Sequence, residues 1–289
     1  MAHGSAFAFL PELAPDRRGR AKKRAARQKS PPMTPFYFGR GERRLFGAYE
    51  AARKGGAAAR AVVLCHSLGA EHVHAYRTMR HLSGKLALAG FHTLRFDYFG
   101  TGDSAGEMSE ASLEGWGDDI ESAVDELRDM TGAARVSLVG LRLGATLAAR
   151  FAARRPERAD ALVLWDPLAS GEEYLAAMSS LSAANPRART ISAESAANED
   201  GFEIEGFSIT SAMAEELRAI DLNALTRSLQ ARTLVVTTQS GGSSEALRRA
   251  SPSHLAVEHF ASVSPWIEDP DMMGAMPADI VLRIVQWLQ

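Results

Sequence analysis

Short strand-like runs alternate with helical repeats along most of the chain. That alternation restricts the fold more than any other feature. Ala61–Cys65, Phe91–Phe96, Val136–Val139, Ala161–Trp165, Thr233–Thr237 and Leu255–Phe260 read as strands, several apolar throughout as in strands buried on both faces. Between them lie helical faces. Met79, Leu82, Leu86 and Ala89 form one, and Leu113, Trp116, Ile120, Val124 and Leu127 form another at steps of three and four. Leu143–Ala153 is Ala-rich and apolar nearly all round, and Ile280–Leu288 closes the chain. Such an order predicts an α/β fold, a mostly parallel sheet with helices on both faces. Phe36–Phe38 and Leu45–Tyr49 precede it as a hairpin joined near Gly39–Gly41. The spacing breaks once, in the 65 residues between Asp166 and Arg232. Helix-like Glu172–Leu181, alternating Phe202–Ile209 and helix-like Ala212–Ile220 predict a small helical cap there, inserted at about 168–230 after the sixth strand.

Composition narrows the classes further. With 46% hydrophobic and 24% charged residues over 289 positions, global disorder is excluded. One cysteine excludes a disulfide framework and any site built on several thiolates. The net charge of −2 hides an uneven distribution. Residues 1–32 carry eight Lys/Arg against two acids, an excess of +6, and the rest carries 25 against 33, or −8. Residues 1–34 therefore read as a disordered basic tail and 35–289 as one domain. No aromatic lies between Arg17 and Lys29 to stack on a base, which argues against nucleic-acid binding. No apolar stretch approaches the roughly 20 residues that span a bilayer. The charges follow the apolar start, opposite to a secretory signal, so a cytoplasmic location is expected.

The chemistry should lie in Gly140-Leu141-Arg142-Leu143-Gly144, between a predicted strand and a predicted helix. Strand, sharp turn and helix, with glycines two residues either side of the central position, is a nucleophile-elbow arrangement. Two further loops agree with it. Cys65-His66-Ser67-Leu68-Gly69 follows the third strand, and Asp97-Tyr98-Phe99-Gly100-Thr101-Gly102-Asp103-Ser104 follows the fourth. From about Phe36 to Gln289 the chain resembles an α/β-hydrolase of the serine-aminopeptidase-like group. Gly-Leu-Arg-Leu-Gly-Ala, with Leu-Val-Leu-Trp-Asp-Pro at 162–167, is similar to the exosortase-A-system-associated hydrolases. That narrower resemblance implies a bacterial genomic association with exopolysaccharide export and leaves the reaction open.

The resemblance implies a Ser nucleophile, then an Asp or Glu, then a His. None stands in its usual place. The elbow holds Arg142, a permanent cation that only donates hydrogen bonds. The turn after the seventh strand, Gln239-Ser240-Gly241-Gly242, has no carboxylate, and no histidine follows His259. Cys65, at a strand end near the site, is the candidate replacement nucleophile, with His66 as its base. His66, His72, His74 and Asp97 lack a spacing that specifies a metal, and no metal or cofactor is expected.

Two functions of different class follow. One is a non-catalytic pocket protein holding a small anionic or acyl ligand, such as a carboxylate or phosphate, through Arg142, with Leu143, Ser67, Leu68, Asp97 and Asp166 lining the site. The other is an active acyl ester, thioester or peptide hydrolase using Cys65 or a relocated residue. A homodimer or a protein partner is compatible with either. Buried arginines need a partner, and the expectation is that Arg142 pairs with the carboxylate of Asp166 or Asp97.

Overall fold

The strand-like runs assemble side by side into one sheet. The computed structural model describes residues 33–53, 59–184, 201–204, 207–238, 255–267 and 276–289. The basic segment 1–32 lies outside them.

β1 (Thr34–Arg40) and β2 (Arg43–Glu50) form the expected hairpin, pairing Phe38 with Leu45 and Arg40 with Arg43. β3 (Ala61–Cys65), β4 (His92–Phe96), β5 (Val136–Leu141), β6 (Ala159–Trp165), β9 (Arg232–Thr237) and β10 (Leu255–His259) follow. The sheet order is β1-β2-β4-β3-β5-β6-β9-β10. β1 and β2 are antiparallel, as are β2 and β4, and the remaining pairs are parallel.

Alternating side chains of each strand feed two apolar layers. Val62 and Leu64 of β3 join Met79, Leu82 and Leu86 of α1 (Gly69–Leu88) and Ile280 and Ile284 of α7 (Ala278–Leu288). Val63 and Cys65 point the other way. They join Trp116, Ile120, Val124 and Leu127 of α2 (Leu113–Thr131) and the buried face of α3 (Leu143–Arg154). The five apolar residues that mark the face of α2 in sequence are all essentially inaccessible. Each contributes about 1.5–3 kcal/mol by leaving water. Ser112 caps this helix by accepting from Gly115 N at 3.0 Å, and Gly132 ends it at φ 72°.

The insertion between β6 and β9 contains α4 (Gly171–Ala184), a hairpin of β7 (Gly201–Ile204) and β8 (Phe207–Thr210), α5 (Ser211–Arg218) and α6 (Leu222–Ser228). The alternating stretch read in sequence is this hairpin, so the insertion is part helix and part strand. It reaches the carboxyl end of the sheet. Phe207 packs on Gly69 at the start of α1, and the Glu216 carboxylate accepts from Leu113 N at 2.5 Å. α4 can lie close to α5 because Gly171 has no Cβ to strike the Leu217 carbonyl.

Candidate functional site

The sharp turn between β5 and α3 is built as the sequence requires. A Cβ on Gly144 would run into the carbonyl oxygens of Cys65 and His66, and one on Gly140 into the backbone of Ala145. Between them Arg142 sits at φ 55° and ψ −122°, a region that residues with a Cβ rarely adopt. Arg142 N donates to the Trp165 carbonyl at 2.9 Å, fixing the turn against β6. α3 starts at Leu143, so the first amides of a helix open beside the Arg142 side chain.

The guanidinium finds a different partner from the one expected. Arg142 Nε donates to Glu71 Oε1 at 2.9 Å, and Nη1 donates to the main-chain carbonyl of Asp166 at 3.3 Å. Trp266 lies 3.9 Å from Cζ, ring centroid to carbon, and Tyr174 lies 5.5 Å away. Tyr174 also donates its hydroxyl to Glu71 Oε2 at 3.2 Å. Arg142 and Glu71 keep 16% and 11% of their side-chain surface exposed, so the pair is mostly but not wholly withdrawn from water. Nη2 has no hydrogen-bond partner among the described residues.

The expected pairing with the Asp166 or Asp97 carboxylate is therefore corrected. Asp166, itself at φ 42°, turns its carboxylate to the end of β9. Thr238 N donates to Oδ1 at 2.7 Å, while Thr238 Oγ1 at 2.6 Å and Trp266 Nε1 at 3.1 Å donate to Oδ2. Asp97 accepts from Asp103 N at 3.0 Å inside its own loop. Glu71 does not stand out in the sequence because the apolar spacing marks α1 only from Met79, ten residues after the helix begins. Its opening turns carry Glu71, His72 and His74, which look like loop. The signal available was an acid three residues past Leu68, the N-cap position of α1.

The surroundings of Cys65 and His66 favour structural roles over those of nucleophile and base. Cys65 is wholly buried against the α2 layer, and burial pushes its thiol up to about 12. His66 Nδ1 pairs with the Ser67 carbonyl at 2.7 Å, which makes this nitrogen the proton donor. Burial lowers the His66 pKa to about 4, the carbonyl opposing and Arg95 assisting. A base so weak is poorly matched to proton transfer near neutrality. Ser67, Leu68 and Leu143 are buried around the turn. His66 instead meets His72, with ring centroids 3.9 Å apart, and Tyr98 at 4.6 Å. With Asp97 these histidines form a second polar cluster at the ends of β3 and β4.

Sheet order, antiparallel start, elbow and insertion after β6 define an α/β-hydrolase fold. The chain belongs to the serine aminopeptidase S33 family, whose model matches residues 56–287. Among curated relatives, the mitochondrial palmitoyl-protein thioesterase ABHD10 of Homo sapiens is 36% identical over 93 residues. That match covers 29% of this chain and 29% of the relative. Among solved structures, Est1E from Butyrivibrio proteoclasticus with bound ferulic acid has a TM-score of 0.64 at 14% identity, covering 88% of this chain and 97% of its own. Mouse ABHD10 gives 0.57 at 17% identity, covering 88% and 98%. At such identities the structures share the fold. No helix among the described residues is long and apolar enough to cross a membrane.

Proposed function

We propose that this chain is a non-catalytic member of its family that binds a small anionic or acyl ligand at the elbow. Arg142 stands where the fold carries its nucleophile. The observation that carries this reading is the strained elbow kept around an arginine, at φ 55° and ψ −122°. Backbone in such a region costs about 1–3 kcal/mol and persists where function or surrounding structure demands it. Glu71 neutralises most of the guanidinium charge, so the pocket is not a bare cationic trap. Nη2 and the first amides of α3 supply donors for a carboxylate or phosphate oxygen. Trp266 and Tyr174 supply apolar surface for an acyl or aryl portion. The partial match to a thioesterase favours an acyl compound carrying a carboxylate over inorganic phosphate.

Two measurements test this. Thermal shifts with short acyl carboxylates and with phosphate should show stabilisation that Arg142→Ala removes. A panel of acyl esters and thioesters, with a fluorophosphonate probe, should show neither turnover nor labelling. Robust turnover that survives Arg142→Ala, or covalent labelling of a serine, would overturn the reading.

A further inference from the structure

The second polar cluster has features the elbow does not explain. His66 directly follows β3, His72 lies in the first turn of α1, and Asp97 directly follows β4. One ligand-capable atom from each lies within 4.8 Å of the others. His66 is 7% exposed, and its Nε2 is buried with no hydrogen-bond partner among the described residues. His72 Nδ1 is buried and unpartnered in the same way. Buried polar atoms are almost always satisfied, so two imidazole nitrogens left open beside one carboxylate call for an occupant.

We propose that His66, His72 and Asp97 bind one divalent transition-metal ion, with zinc the best chemical match. The donor set is two imidazoles and a carboxylate, the kind that suits zinc, iron and nickel better than calcium or magnesium. A tetrahedral ion with ligands at about 2.0–2.1 Å sets its donors roughly 3.4 Å apart. Closing separations of up to 4.8 Å to that spacing takes a shift of about 0.7 Å at each donor atom. The hydrogen bond from His66 Nδ1 to the Ser67 carbonyl fixes the tautomer that leaves Nε2 as the metal-binding lone pair. On the carboxylate, the Asp103 amide holds Oδ2 and orients Oδ1. His72 and Asp97 are only half-buried, which gives the ion a path in and an open coordination position. Arg95, close to all three groups, makes the site weaker than a four-ligand structural zinc centre. None of the three ligands contacts the Arg142 guanidinium among the described residues, so metal binding here does not depend on the elbow.

The test is titration of the chelator-treated full-length protein with Zn²⁺, and with Co²⁺ followed by its visible absorption. One equivalent of saturable binding is expected, with the intense visible band of a four- or five-coordinate cobalt ion. His72→Ala should weaken binding ~100-fold or more, since losing a group that only orients a ligand already costs about 10–100-fold. This variant lies on a half-exposed helix position and should keep its fold by circular dichroism. Asp97 also organises its loop, so Asp97→Asn serves as the second ligand variant. His74→Ala and His259→Ala should bind as the parent does. No saturable uptake, or uptake unchanged by His72→Ala, would overturn the proposal. So would loss of binding in His74→Ala as large as in His72→Ala.

Discussion

Glu71→Gln should strand the elbow arginine, and its cost can be worked from the geometry. The variant removes one charge and one acceptor: its single side-chain oxygen can still face Arg142 Nε, while its NH2 faces the Tyr174 hydroxyl, which can turn to accept from it. At 2.9 Å, with the two side chains 16% and 11% exposed, the pair lies between surface and interior. Unit charges near a protein surface at about 4 Å interact by about 4 kcal/mol, and breaking a buried pair costs about 3–5 kcal/mol. Trp266 still faces the cation and returns roughly 0.5–2 kcal/mol. The net loss should be about 2–4 kcal/mol, or a fall in Tm of roughly 4–16 °C for a domain of this size. The assay is urea and thermal unfolding of the parent, Glu71→Gln, Arg142→Leu and the double variant. Removing both charges leaves no orphan, so the double variant should recover most of what Glu71→Gln loses. A coupling energy below about 0.5 kcal/mol would show that the ion pair does not hold the elbow side chain.

Three further outcomes follow from neighbouring residues. Native Cys65 should resist a disulfide thiol reagent at pH 8 and react once the protein is unfolded. Its thiol is raised from 9.0 to about 12, so the native state keeps a proton that the unfolded state loses. This contribution is intact below pH 9 and is lost as pH rises from 9 towards 12, and Cys65→Ala should abolish that part of the slope; fast labelling of the folded protein would contradict it. Gly144→Ala should cost about 4 kcal/mol or more, because its Cβ meets the backbone carbonyls of Cys65 and His66, neither of which is a flexible side-chain end. A soluble variant with an unchanged melting temperature would refute that packing. Asp166→Ala should cost about 3 kcal/mol by orphaning Thr238 N and Trp266 Nε1, with Thr238 Oγ1 keeping Ser264 Oγ at 2.6 Å, and should alter tryptophan emission as Trp266 loosens over Arg142. A loss under about 1 kcal/mol with unchanged emission would count against it.

Much of the scaffold can be read from local pattern. The five apolar positions of α2 and the continuous run of β3 name their own environments, because a helix face repeats every 3.6 residues and a strand buried on both faces is apolar throughout. Gly140 and Gly144 announce the elbow, since only a residue without a Cβ survives so close an approach. The hairpin β7–β8 appeared as alternation without its pairing, because register is settled between strands. The apolar spacing marks α1 only from Met79, ten residues after the helix begins, because its first turns carry polar groups that serve the site.

The α/β order, the elbow, the insertion after β6 and Arg142 at the turn are all legible in local sequence. What that arginine meets is set by contacts distant along the chain. Glu71 lies 71 positions away and Trp266 124 positions beyond the elbow. Which carboxylate reaches the guanidinium depends on where α1 begins and which way Asp166 turns. The same holds for His66, His72 and Asp97, whose spacing along the chain specifies nothing. They become neighbours because the adjacent parallel strands β3 and β4 end on the same side of the sheet, and the first turn of α1 follows β3 there.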